Sequence, residues 1–302
     1  MEFSVREKRI TNDIKNTIHN MFSFLRENKS FTIGMFILGI IVVMALFADF
    51  IAPYGYGERA GGRYEPPSQD HLFGTTLLGF DVFSRVVYGS QIALIIAFSG
   101  TILSLAIGVP LGVISGYFGG KIDRLFTLIA DSIYSFPSLL LAITLAIYLS
   151  VFGNFKVISA VAVATSVVYI PTYFRVVRSQ VLQIKEEGYV RAARSMGAKK
   201  ITILIRYITP NVLASTIAII PFNMTDAILT NAGLAFLGLG ISPPTADWGY
   251  DVYDARALVK VRAYPWLILF PGLMIFLLSF SLSLIGDALN DKFNPLISQK
   301  NG

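Results

Sequence analysis

The chain contains no cysteine, and that absence removes disulfides, zinc-thiolate centres and thiol catalysis from consideration. Histidine is nearly as scarce. His19 and His71 are the only two and lie far apart, which argues against a histidine-based metal centre. Charge is sparse as well: Asp, Glu, Lys and Arg supply 15% of 302 residues, against about a quarter in soluble domains. No Ser-His-Asp set or carboxylate pair in a polar setting stands out, so catalysis finds no support. The stretch GYFGGKI hints at a phosphate loop and fails, because Ser115 stands where the first glycine is required and Ile122 where a hydroxyl is required. The chain therefore brings no ATP site of its own. No cleavable signal peptide is expected, since mixed-charge sequence precedes the first apolar run and no small-residue cleavage site follows it.

Apolar sequence is what the chain has in excess, with 54% hydrophobic residues and a mean hydropathy of +0.62. A membrane-crossing helix needs about 20 apolar residues. Six runs qualify: Phe31–Ile51, Gln91–Phe118, Leu125–Phe152, Val157–Val177, Val212–Leu239 and Trp266–Leu289. The expected fold is all-α and membrane-embedded, with six transmembrane helices. Lys and Arg are unevenly divided across these runs. One side takes 18 of the 25, including eight between the fourth and fifth runs, and the positive-inside rule places that side and both termini in the cytoplasm. The expected organisation is then a cytoplasmic segment at 1–30, a transmembrane domain at 31–289 and a cytoplasmic tail at 290–302. Outer loops fall at about 52–90 and 240–265, and a charged cytoplasmic loop at about 185–209.

That charged loop, EEGYVRAARSMGAKK, is patterned as a helix between two greasy ones. Tyr189, Ala192, Ala193 and Met196 fall at i, i+3, i+4 and i+7 on one narrow face. Glu187, Arg191 and Arg194 take the opposite face, where Glu187 can pair with Arg191. Gly197, followed by Ala198, supplies a C-cap. Ile201, Leu204, Ile205 and Ile208 then form a second apolar stripe ending at Pro210. The two alanines keep the first helix thin, as docking into a partner's groove requires. The alternative, a helix lying on the membrane surface, is poorly served by two alanines, one tyrosine and one methionine.

YVRAARSMGA followed by ITILIRYITPN resembles the cytoplasmic loop of permease subunits of ATP-binding-cassette importers, in the dipeptide, oligopeptide and nickel branch. In that pattern Arg191 takes the usual Glu position, Ala192 and Ala193 are the alanines, Gly197 is the glycine, and Thr209 replaces the Leu before proline. HLFGTTLLGFDVFSRVVYGSQIAL, GYFGGKIDRL, YSFPSLLLA, LAFLGLGISPPTADWG and PWLILFPGLMIFLLSFSLSLIGDALNDKFNP match that branch in order, with Phe80 where an Arg is common. The resemblance implies a helix that docks into an ATPase subunit through Glu187, Tyr189, Arg191, Ala192, Ala193, Met196, Gly197 and Ala198. It also implies a homologous second permease subunit, two ATPase subunits that use ATP and Mg, and an extracytoplasmic substrate-binding protein facing the SPPTADWG loop. The membrane is the remaining partner, no cofactor is bound by this chain, and no nucleic acid is involved. Peptides are the expected substrate, with oligosaccharides such as cellobiose, or nickel, as alternatives.

Gly108, Gly112, Gly116 and Gly120 recur every fourth residue, a ridge that admits a second helix closely, either as static packing or as a sliding contact. Pro110 within it is expected to kink the helix. Asn223, Asp226, Thr230 and Asn231 make a polar stripe, read either as the wall of a translocation path or as an interhelical hydrogen-bond network. By resemblance, Asn231 stands where related permeases often carry Glu. Asp131, near the Phe136-Pro137 kink, is expected to be structural. The rival class is an ion-coupled secondary transporter that uses Asp131 and Asp226 and shows an inverted repeat; no convincing repeat is seen.

Overall fold

A computed structural model describes residues 28–153 and 155–293. Almost all of the expected N-terminal segment and the tail from residue 294 lie outside them. The described chain is helical, with isolated antiparallel bridges at Arg59–Phe80 and Thr75–Asp81. In order, the helices are α1 (Lys29–Leu46), α2 (Ala48–Ile51), α3 (Val82–Phe118), α4 (Gly120–Tyr134), α5 (Ser138–Val151), α6 (Val157–Ile184) and α7 (Gly188–Ser195). They continue as α8 (Lys200–Ile203), α9 (Thr209–Thr216), α10 (Ile220–Phe236), α11 (Trp248–Ala255), α12 (Leu258–Ala263) and α13 (Trp266–Phe293).

Among the described residues five helical stretches are long and apolar enough to cross a membrane, and a sixth crossing exists if the bent pair α4–α5 is one span. The third expected run is thus not a straight helix. It turns by 92° between α4 and α5. Pro137 has no N–H to continue the helix and disfavours helical geometry at Phe136, so the chain leaves α4 there. The stretch from Lys200 to Phe236 counts as one crossing but carries two irregular turns. Before Pro210 a π-turn spans Leu204–Ile208, and the Thr209 hydroxyl donates to the Leu204 carbonyl at 2.9 Å. A short 3₁₀ turn, Ile217–Ile219, precedes Pro221. Each proline removes one backbone donor, and the local turn re-pairs the carbonyls that are left.

α3 is the organising element. Its 37 residues run unbroken through Pro110 and span about 55 Å. Asp81 caps it, its carboxylate accepting from the Ser84 N–H at 2.7 Å. The small-residue ridge is real and longer than the sequence pattern suggests at one end, shorter at the other. A Cβ added at Gly108 would lie 2.8 Å from the Ile170 carbonyl oxygen and the Tyr173 Cβ. At Gly112 it would meet the Phe174 carbonyl and Val177, and at Gly116 Val181, all at 2.8 Å. Upstream, Gly100 meets Thr165 at 2.8 Å, and the Ser104 hydroxyl donates to the Ser166 carbonyl at 2.9 Å. Gly120 drops out. It begins α4 with φ of +62°, and its open surroundings pack against nothing. The backbones of α3 and α6 therefore touch along a row of five small residues.

Around this pair, α1 packs on α13 through Gly34, where an added Cβ would lie 2.7 Å from the Ser281 carbonyl oxygen. α5 lays Ala142 and Ala146 against Val161, Ala164 and Val168 of α6. α10 fits between α3 and α13 through Met224 and Ile228. Gly112→Val should overpack the ridge and destabilise by about 1–3 kcal/mol. Gly39→Ala, on an open face of α1 with nothing within 4 Å, should instead be neutral or slightly stabilising. Thermal melts of the two detergent-solubilised variants check the contrast.

Candidate functional site

α3 holds a different structure at each end. At its C-terminal end sits the charged elbow. Glu187 precedes α7 in extended geometry without a side-chain cap. The helix closes on Gly197, at φ of +81°, with the Gly197 N–H donating to the Arg194 carbonyl and the Ala198 N–H to the Ala193 carbonyl. This paired closure is the glycine C-cap expected from the sequence, and only a residue free of Cβ strain adopts it at little cost.

The face of α7 divides differently from the periodicity reading. Val190, 0% exposed, and Ala193, 2% exposed, point into this chain's own core. Val190 joins a cluster with Val113, Val177, Val181, Ile203 and Ile208, with Ala198 packed at its edge. Tyr189, Arg191, Ala192 and Met196 stay open, Met196 at 80% exposure. The second stripe splits as well. Leu204 and Ile208 face inward, while Ile201 and Ile205 are exposed, because the π-turn has a longer repeat than the α-helical spacing assumes. Glu187 and Arg191 are both exposed and form no ion pair; such a pair gains little in water against the entropy of two long side chains. The result is a knuckle with Tyr189, Met196, Ile201 and Ile205 as exposed apolar side chains among basic ones. Exposed apolar surface is characteristic of contacts with proteins or with a membrane.

The knuckle is latched to the bundle. Arg178 on α6 meets Asp123 on α4, with Nη2 to Oδ2 at 2.7 Å, and the Lys185 ammonium donates to the Gly116 carbonyl at 3.1 Å. Asp131 pairs with Arg175 at 2.6 Å, and that guanidinium lies over the Tyr134 ring at 4.0 Å. Asp131 is thereby accounted for as a bridge between α4 and α6.

At the opposite end of α3 the two loops fold together into a cap. Arg85, 2% exposed, uses all five of its donors. Its Nε and Nη2 donate to Asp251, the shorter contact at 2.7 Å, and its remaining hydrogens go to the carbonyls of Tyr56, Pro244 and Thr245, each at 3.1 Å. Trp248 Nε1 donates to the Val86 carbonyl at 2.9 Å, and its ring fills the space beside Gly89. Sequence reasoning missed this knot, counting Arg85 only among the seven Lys and Arg residues on the less basic side. An Arg in the first turn of an apolar helix was the available signal, but its partner lies 166 residues away.

The polar stripe on α10 does not form one wall. Asn231 is 7% exposed and donates from Nδ2 to Asp247 Oδ2 at 2.9 Å; Asn223 is also buried. The Thr230 hydroxyl is bonded to that of Tyr169 on α6 at 2.8 Å. Asp226 alone of the four is open. The geometry thus divides the two readings: Asn231 and Thr230 join interhelical hydrogen bonds, while Asp226 is free. Among the described residues no group of three or more His, Cys, Asp or Glu side chains could hold a metal ion.

Residues 108–299 match the family described as binding-protein-dependent transport system inner membrane component. The chain belongs to that family. Residues 18–67 also match the N-terminal transmembrane domain of oligopeptide transport permease C. The chain is 36% identical to the dipeptide transport system permease protein DppC of Alkalihalophilus pseudofirmus, covering 91% of this chain and 88% of that one. It is 37% identical to the oligopeptide transport system permease protein OppC of Bacillus subtilis, covering 89% and 87% respectively. It is equally 37% identical to the glutathione transport system permease protein GsiD of Escherichia coli, over 91% and 88%. An inward-facing structure of the MetNI methionine ABC transporter superposes with a TM-score of 0.55 at 20% identity, covering 68% of this chain and 97% of that one, which supports the fold alone. The chain is a multi-pass inner-membrane protein of a transport system.

Asp247 is a perturbed carboxyl of the cap. Burial pushes it up from 3.8 to about 6, opposed by hydrogen bonds from Asn231 and the Tyr250 N–H; Asp251 pushes in the same direction as burial, and Arg85 against it. A carboxyl raised in the folded state stabilises the fold most below its unfolded value and loses that contribution as pH rises through about 6. Asp247→Asn should therefore gain thermal stability relative to the natural chain at pH 7.5 and lose that advantage at pH 5. Paired melting curves at the two pH values check the sign.

Proposed function

We propose that this chain is the permease subunit of an ATP-driven, binding-protein-dependent importer of dipeptides and oligopeptides. It forms half of the translocation pathway beside a homologous second permease subunit. Two ATPase subunits consume ATP and Mg, and an extracytoplasmic binding protein delivers substrate. The observation that carries the substrate reading is near end-to-end similarity at 36–37% identity to dipeptide, oligopeptide and glutathione permeases. The charge bias supports a cytoplasmic position for the α7 end and an external one for the α11 cap.

The mechanism follows from how α7 is mounted. Val190 roots it in the core shared by α3 and α6, and Ala193 is buried as well. Tyr189, Ala192 and Met196, with Ile201 and Ile205, are left for a cleft in the ATPase subunit. Closure of the ATPases pulls on this knuckle, and a root packed on two long helices converts the pull into motion of those helices as a body. Asp226, open on α10, lies on the pathway side; a carboxylate facing lipid would be expensive, whereas an aqueous path hydrates it. Catalysis belongs to the partner subunits.

Purifying the assembly from its native membrane and identifying the binding protein's ligand by mass spectrometry tests the substrate. A peptide supports the reading, and an oligosaccharide or nickel overturns it. Ala192→Trp should abolish peptide uptake and ATPase co-purification while leaving membrane insertion normal, since Ala192 is exposed. Ala193→Trp should reduce the amount of folded subunit, because its Cβ lies in the core. Normal uptake by the Ala192 variant would remove the docking claim.

A further inference from the structure

The covalent connection from α10 to α11 is not helical. It leaves α10 through Gly238 at φ of +76° and Gly240 at φ of +125°, on either side of Leu239, with little backbone hydrogen bonding there, before Arg85 takes hold of the Pro244 and Thr245 carbonyls. Between the end of α10 and that anchor no hydrogen-bond ladder carries a displacement of α11 back to α10. Yet α11 is fixed firmly to its surroundings by other means. Trp248 and Asp251 hold it to α3, through the Val86 carbonyl and the Arg85 guanidinium. Towards α10 it presents Gly249, where an added Cβ would lie 2.7 Å from the Ala232 Cα, and one polar contact, Asn231 to Asp247.

We propose that Asn231 is a positioning residue that bypasses the glycine link, coupling α11 to α10 through its hydrogen bond to Asp247 so that docking of the binding protein at the cap is felt on the pathway helix. Three features of the contact fit that role. First, it is directional: a buried amide donating to a carboxylate has one good geometry, which adds a fixed orientation to the close backbone approach at Gly249. Second, both side chains are buried, so water does not replace the bond when it stretches. Third, Asp247 also caps α11, accepting from the Tyr250 N–H at 2.8 Å, so its carboxylate belongs rigidly to the helix it reports on. Asn231 in turn follows directly on Thr230, which is bonded to Tyr169 on α6, and lies five residues beyond Asp226. A rotation of α11 thus reaches the open carboxylate of α10 and the α3–α6 body together. A buried polar link of this kind is a poor source of stability compared with apolar packing, and its benefit lies in fixing one arrangement.

The inference rests on the importer reading, and its test uses the complete transporter in lipid vesicles, with ATP hydrolysis measured with and without binding protein loaded with trialanine. Asn231→Leu should assemble and keep the unstimulated rate, and lose stimulation by about tenfold, the range of a coupling contact between sites. Asn231→Asp, which sets two carboxylates face to face, should lose it likewise. The exchanged pair Asn231→Asp with Asp247→Asn restores one amide facing one carboxylate and should restore stimulation. Stimulation of the Leu variant equal to the natural transporter would overturn the inference. So would failure of both single variants to assemble, which would assign the contact to folding, or an assembled exchanged pair that stays unresponsive. A natural transporter that ignores the loaded binding protein would instead refute the importer reading itself, and this inference with it.

Discussion

Everything in this molecule hangs on the close approach of α3 and α6. Lipid tails are as apolar as leucine, so burying leucine between helices gains little in a membrane; intimate backbone contact and the dispersion that goes with it must do the work. Gly100, Ser104, Gly108, Gly112 and Gly116 supply it, since a Cβ at any of the four glycines would come within 2.8 Å of α6. The tightness decides between the two readings of the ridge. Sliding needs clearance that the added-Cβ distances deny, and Ser104 adds a hydrogen bond to the facing backbone. The geometry favours static packing.

A rigid α3–α6 pair explains why the two ends of α3 are so different in chemistry. At the α7 end, ion pairs such as Arg178–Asp123 and Arg175–Asp131 are partly exposed and gain little by themselves, yet they fix the tilt of α4 on α6. At the α11 end, Arg85 is buried with every donor satisfied, so removing its partner would be far more costly than the pair is stabilising. One end leaves apolar and basic side chains exposed, and the other ties its own loops to α3. Asp226 stands apart from both. Among the described residues it has no hydrogen-bond or ion-pair partner, and that makes α10 the helix on which a polar group is presented rather than paired.

Much of the architecture was legible in the residues. Apolar run length alone located the membrane helices, because every backbone group in a bilayer must be paired within its own segment, and this makes the pattern local. The four-residue glycine repeat pointed to the packing seam, and Gly197 to the end of α7. What failed did so for identifiable reasons. The third run was counted as one span with a kink at Phe136-Pro137, and the 92° turn found there is a size that hydropathy, blind to a proline's missing donor, does not give. Gly120 shared the repeat by position but serves a left-handed turn. On α7, a helix of two turns, periodicity located an apolar arc without revealing that Val190 is its root, because the residues that receive it, Val177, Val181 and Ile203, lie on other elements. The cap network was out of reach for the same reason. Arg85–Asp251 and Asn231–Asp247 are pairings set by tertiary structure, and no local spacing announces them.

The central claim is that α3 and α6 move as one body when the ATPases close. The natural absence of cysteine makes a direct test simple: Ile107→Cys on α3 and Ser179→Cys on α6, both exposed, spin-labelled in the assembled transporter. Electron–electron distance distributions recorded without nucleotide and with a non-hydrolysable ATP analogue should superimpose, while uptake in the labelled protein persists. A shift of several ångströms between the two states would show the ridge slides, and would contradict the account at its foundation.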